Sequence, residues 1–164
     1  MSLELPQDRP LAPDDPALHP GWRLLEFLLV IGADEFAVRF LYCGEHGKDP
    51  CDRLARGIAF ASQGERTREC TVTFVGETNP RPIEVWRLDR PALEALRDVM
   101  PSGVLGAEMG SDERALAWAE DLCVYRRGQL LFGTVTHERI AFLRVSDAEW
   151  EQWEAQVAAD HRAT

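Results

Sequence analysis

The chain has 164 residues, of which 45% are apolar and 28% charged, and its formal net charge is −10. That length suits one domain able to bury roughly two-thirds of its unfolded surface, so neither a metal nor a disulfide is needed to close the core. The composition excludes wholesale disorder, and the acidity argues against steering towards phosphate backbones, which takes clustered cations. Seven arginines (Arg53, Arg56, Arg66, Arg68, Arg81, Arg87 and Arg90) are scattered among acids and form no stripe in the sequence, so no nucleic-acid partner is expected.

Residues 1–21 read as a Pro-rich extended arm, because Pro6, Pro10, Pro13, Pro16 and Pro20 each remove a backbone donor and fix φ. The start is acidic rather than basic and then apolar, so no secretory leader is expected. The run Leu24 to Ile31 carries Glu26 and is too short for a span of about 20 residues, so no membrane partner is expected. A cytoplasmic setting follows, and there cysteines remain thiols.

A single α+β domain is expected over residues 22–160, with 161–164 as a tail. Residues 22–31 and 36–43 suggest a hairpin turning at Gly32-Ala33-Asp34, with Phe36, Val38, Phe40 and Tyr42 on one face. The leucines of 22–31 equally suit a helix ending at Gly32; the hairpin is the expectation taken. Asp49 and Pro50 open a helix that buries Leu54, Ile58 and Ala61. Strands at 70–76 and 83–88 follow, joined through the rigid turn Asn79-Pro80-Arg81-Pro82.

A helix over 90–100 starts near Asp89 and Pro91 and buries Leu93 and Leu96. After a Gly-rich loop, the spacing of Leu116, Ala119, Leu122 and Cys123 predicts a second helix over 112–126. Strands at 129–136 and 139–145 flank a turn at His137-Glu138. Ser146 with Glu149 forms a capping box for a last helix that carries Trp150, Trp153 and Val157 on one face. The order predicts a mainly antiparallel sheet built from hairpins, with helices packed on one face, in roughly three strand-strand-helix units.

The densest chemistry lies in Cys43-Gly44-Glu45-His46-Gly47-Lys48-Asp49-Pro50-Cys51. Cys43, His46 and Cys51 supply soft and borderline ligands on one loop, so zinc is the metal they would take. The set is one ligand short of a tetrahedron and lacks paired Cys-x2-Cys knuckles; Cys70, His137, a carboxylate or water would complete it. The same loop offers a reactive Cys51 with His46 as base, opposed by the flanking Asp49 and Asp52. Cys70 and Cys123 read as small buried hydrophobes. Glu120 and Asp121 diverge by about 100° on a helix and form no acid/base pair.

No Gly-x-Ser-x-Gly, phosphate loop, dinucleotide fingerprint or His-Glu-x-x-His is present. The expected function is therefore a non-catalytic, cytoplasmic protein-interaction module with an acidic surface: an inhibitor, immunity-type or chaperone-like protein whose partner is basic. Trp150 and Trp153 are the candidate interaction residues, weighed against core packing of the last helix. The alternative is a metal-dependent or thiol enzyme, or a small-molecule binder, using the Cys43–Cys51 loop. Homodimerisation through a sheet edge or the last helix is the third reading.

Overall fold

Among the described residues, antiparallel pairing joins seven strands into one sheet. The computed structural model describes residues 7–12, 21–40, 56–71, 78–99, 119–135 and 140–161. Its strands are β1 (Gln7–Leu11), β2 (Glu35–Phe40), β3 (Ser62–Arg68), β4 (Arg81–Arg87), β5 (Ala119–Arg126), β6 (Gln129–Val135) and β7 (Ile140–Val145). They lie in the order β1-β7-β6-β5-β2-β4-β3, and every neighbouring pair is antiparallel. Three α-helices are described, α1 (Trp22–Val30), α2 (Arg90–Val99) and α3 (Asp147–His161), with a 3-10 turn at Ala59–Ala61. The protein is α+β with an antiparallel sheet.

The first half of the expected hairpin is a helix. Residues 22–30 form α1, which buries Leu24, Leu25, Phe27 and Leu28. These positions recur at helical spacing, and the chain leaves the helix through a Schellman motif at Gly32. Gly32 adopts φ 94°, and its N–H donates to Leu29 O at 3.1 Å while the Ala33 N–H donates to Leu28 O at 2.8 Å. A residue with a β-carbon is disfavoured there, which is why the helix stops at that glycine.

Asp34 then ties the middle of the molecule together. Its N–H donates to Tyr125 O at 3.0 Å, its carbonyl accepts from the Leu88 N–H at 2.8 Å, and its carboxylate accepts from the Arg127 N–H at 3.0 Å. β2 therefore starts between β4 and β5. The β5–β6 turn that Asp34 clasps has positive φ at both Arg127 (51°) and Gly128 (78°), the type I′ geometry of two-residue hairpins.

The helix expected over 112–126 is replaced, in its described part, by a strand. β5 runs from Ala119 to Arg126 with Leu122, Cys123, Val124 and Tyr125 all buried. A central strand covered on both sides shows no apolar–polar alternation, so its spacing also matches a helix. Of the strand expected at 70–76, only Cys70 and Thr71 are described, and neither is in a strand. β3 occupies 62–68, an exposed edge sequence Ser-Gln-Gly-Glu-Arg-Thr-Arg, while Cys70 and Thr71 lie beyond it. Residues 72–77 are outside the described residues.

The helix expected from Asp49 is described only at 56–58, ahead of the 3-10 turn, where Ile58 and Ala61 are buried. β4, β6, β7, α2 and α3 fall within about two residues of their expected bounds, as boundary assignments do. Asp89 caps α2 by accepting the Ala92 N–H at 2.9 Å. The capping box of α3 is formed: the Ser146 N–H donates to Glu149 Oε2 at 2.9 Å, and the Glu149 N–H donates to Ser146 Oγ at 3.3 Å.

Two clusters fill the interior. The larger joins Leu24, Leu28, Leu93, Leu96 and Trp153 of the helices to Phe36, Trp86, Val124 and Leu143 of the sheet. The smaller holds Ala37, Cys70, Val85, Cys123, Tyr125 and Leu130. Phe36 and Val38 belong to the first and Ala37 to the second, so the clusters lie on opposite faces of the sheet.

Candidate functional site

Cys43, His46 and Cys51 lie outside the described residues, as do Glu108, Asp112, Glu113 and His137. Among the described residues no group of three or more His, Cys, Asp or Glu side chains is placed to hold a metal. Trp153 is 5% exposed and packs against Phe27, ring centroids 5.3 Å apart. Trp150 is half-buried, with the Arg9 guanidinium 5.0 Å over its ring. That cation–π contact draws β1 onto α3.

The chemistry-bearing residues that folding does bring together lie on the face of the smaller cluster. The chain leaving β3 turns over this face. The Tyr125 hydroxyl reaches up and donates to Glu69 O at 2.7 Å. Asn79 accepts the Cys70 N–H at 3.0 Å and donates to Cys70 O at 2.9 Å, satisfying both backbone groups of a buried residue that has left the strand. Thr71 then settles over Gly133 of β6.

This places the Cys123 sulfur against the segment that contains Cys70. Its Sγ lies 3.4 Å from Thr71 Oγ1. Burial pushes the Cys123 thiol up, against hydrogen bonds from Thr71 and Tyr125 that oppose the shift. Burial likewise pushes the Tyr125 phenol up, reinforced by Cys123. Neither group is ionised at neutral pH. Cys123 and Tyr125 as placed are a neutral donor–acceptor pair, not activated nucleophiles.

Ion pairs rim the face. Arg144 donates from Nε to Asp8 Oδ1 at 2.5 Å and from its NH1 to Glu69 Oε2 at 2.9 Å, linking β1, β7 and the start of the β3–β4 connection. The hydrogen bonds that Arg144 donates to Asp8 and Glu69 raise Arg144, and the one Asp8 accepts lowers Asp8. Arg68 grips Glu35 with a fork, Nε to Oε2 at 2.9 Å and NH2 to Oε1 at 3.1 Å. On the opposite face, Arg126 bridges the end of α1 to α3, donating to Ile31 O at 3.0 Å and to Glu149 Oε1 at 2.5 Å. These cations are committed to holding elements together.

Asp121 is a correction to the sequence reading. Expected on a solvated helix face beside Glu120, it is 5% exposed in β5, with φ 56°. It sits where the β2–β5 register shifts, and the next residue, Leu122, donates its N–H to the buried Thr134 Oγ1 at 2.9 Å. A left-handed aspartate inside a strand marks a bulge, and no spacing in the sequence announces one. Cys70 and Cys123 are buried as expected, but their nearness had no signal, because distant stretches of chain bring them together.

No protein-family model, curated protein or solved structure matches the chain. Among the described residues no helix is long and apolar enough to cross a membrane.

Proposed function

We propose that the protein is a non-catalytic, cytoplasmic protein-interaction module, of the inhibitor, immunity or chaperone-like kind, that presents an acidic face to a basic partner. The supporting observation is the composition and pairing of α3. Residues Asp147–His161 include five carboxylates and no Lys or Arg. Asp147 is taken by Arg9 and Glu149 by Arg126. Glu151 and Glu154 stay exposed and pair with no cation among the described residues. Uncompensated charge on a rigid helix accelerates encounter with an oppositely charged surface and is screened by salt.

Capture of partners from native extract by the wild-type chain and by a Glu151→Lys/Glu154→Lys variant tests this. The charge reversal is expected to slow association with the captured partner at least about tenfold at low salt, with the difference closing at high salt. Equal capture by both chains at every ionic strength would remove the acidic face from the account.

The other readings part from this one cheaply. Stoichiometric zinc in protein purified without chelator, lost in Cys51→Ser, would favour the metal-dependent reading of the Cys43–Cys51 loop. Homodimerisation through a sheet edge is opposed by the edges themselves. β3 carries Glu65, Arg66 and Arg68, and β1 contains Pro10, which has no N–H to offer a second copy. Light scattering decides between a monomer and a dimer built on α3.

A further inference from the structure

Two thiols buried on the same face of the sheet, joined through one residue, invite a reaction that neither could carry out alone. Cys70 and Cys123 share the smaller cluster, 8% and 2% exposed, and both are present as thiols. Thr71, peptide-bonded to Cys70, holds its Oγ1 3.4 Å from Cys123 Sγ. A disulfide between the two needs their α-carbons within about 7 Å, and the contact through Thr71 brings the chain of Cys70 to the sulfur of Cys123.

We propose that Cys70 and Cys123 form a peroxide-oxidisable pair whose disulfide fastens the start of the β3–β4 connection to the central strand β5. The reaction begins at Cys70, the more exposed of the two and the one outside a strand. Its thiolate attacks one peroxide oxygen; the O–O bond breaks, that oxygen stays on sulfur as a sulfenic acid, and the other leaves as hydroxide, which takes up the proton Cys70 lost and becomes water. The Cys123 sulfur then attacks the sulfenic sulfur, an S–S bond forms, the S–O bond breaks, and the Cys123 proton departs with the hydroxyl as a second water. Two thiols and one hydrogen peroxide give one disulfide and two waters.

The surroundings decide how the bond behaves. Burial keeps Cys123 protonated until Cys70 has been oxidised, so the second thiol is spared direct attack. Asn79 holds both backbone groups of Cys70, and Tyr125 holds Glu69, so the segment is positioned before oxidation. The closed loop would tie an element next to the sheet edge to its middle strand. A Thr71 methyl trapped over Gly133 limits how far the segment can lift away.

The test uses the full chain with Cys43→Ser and Cys51→Ser, so that only Cys70 and Cys123 can react. After excess hydrogen peroxide and blocking of residual thiols, peptide mapping is expected to recover a Cys70–Cys123 cross-linked peptide lighter by two hydrogens. The oxidised chain should melt at least about 5 °C higher than the reduced chain, and dithiothreitol should reverse both changes. Adding Cys123→Ser should abolish the cross-link and leave Cys70 open to a sulfenic-acid probe. Recovery of both thiols reduced from folded protein, or oxidation of Cys70 to sulfinic acid with no cross-link, would overturn the proposal. Because the readout is a covalent mass change, it is independent of whether any partner is captured through α3.

Discussion

Thr71 rests its γ-methyl where a β-carbon on Gly133 would stand: a carbon built there lies 2.1 Å from Thr71 Cγ2 and 3.0 Å from the Phe142 ring. The glycine is thus a socket for the segment that crosses the sheet. Gly133→Ala should destabilise the fold by about 1–3 kcal/mol in urea unfolding, because a short branched side chain cannot swing aside and the segment must move. Thr71→Ser removes the methyl and keeps the hydroxyl beside Cys123, so it should recover a substantial part of the loss in the double variant. Additive losses in the double variant would contradict the socket.

Arg127 occupies a left-handed position that glycine and asparagine tolerate better than arginine. Arg127→Asn keeps the backbone N–H that Asp34 accepts and should stabilise the protein by about 0.5–1 kcal/mol, read as a rise in melting temperature. Asp34→Ala, by contrast, frees that N–H and should cost about 1 kcal/mol.

The α3 cap should make stability sensitive to acid. Glu149 lies below its ordinary value of 4.5: burial pushes its carboxyl up, but Arg126 and Ser146 more than offset it. Asp8 lies below its ordinary 3.8, held down by Arg144. A carboxylate depressed in the folded state contributes stability that is complete above its unfolded value and disappears as pH falls through its folded value. The stability difference between wild type and Glu149→Gln should therefore be largest near neutral pH and shrink below 4.5. Ser146→Ala should cost about 1 kcal/mol, with much less dependence on pH.

The Arg68–Glu35 fork spans from the edge strand β3 to β2 past β4, with both side chains 19% exposed. Arg68→Lys keeps the charge and loses the two-pronged geometry, so it should fail to restore stability. A double-mutant cycle with Glu35→Gln is expected to give a coupling of about 1 kcal/mol, above the usual surface pair because the fork is partly sheltered.

The α+β class and the last hairpin with its capped helix were legible because their signals are local. Ser146 and Glu149 stand three residues apart, and Ala141, Leu143 and Val145 alternate with Phe142 and Arg144, which pack towards the other face. What failed was periodicity where burial erases it. The buried run Leu122 to Tyr125 reads as either state, and the polar edge β3 shows no apolar alternation at all. For α1 the decisive mark was present at Gly32, since a glycine directly after a leucine-rich run ends a helix more economically than it turns a hairpin. The Cys70–Thr71–Cys123 contact was illegible because it depends on how the connection leaving β3 crosses the sheet.

The pairing of β1 with β7 has a bearing on how this chain is made. Residues 7–11 are made long before residues 140–145, so the first strand must wait, unpaired, until β7 has emerged. Pro10 and the charged pair Asp8 and Arg9 make that wait safer by giving neighbouring nascent chains a poor template. Docking of β1 follows the emergence of β7 and latches the outermost row of the sheet.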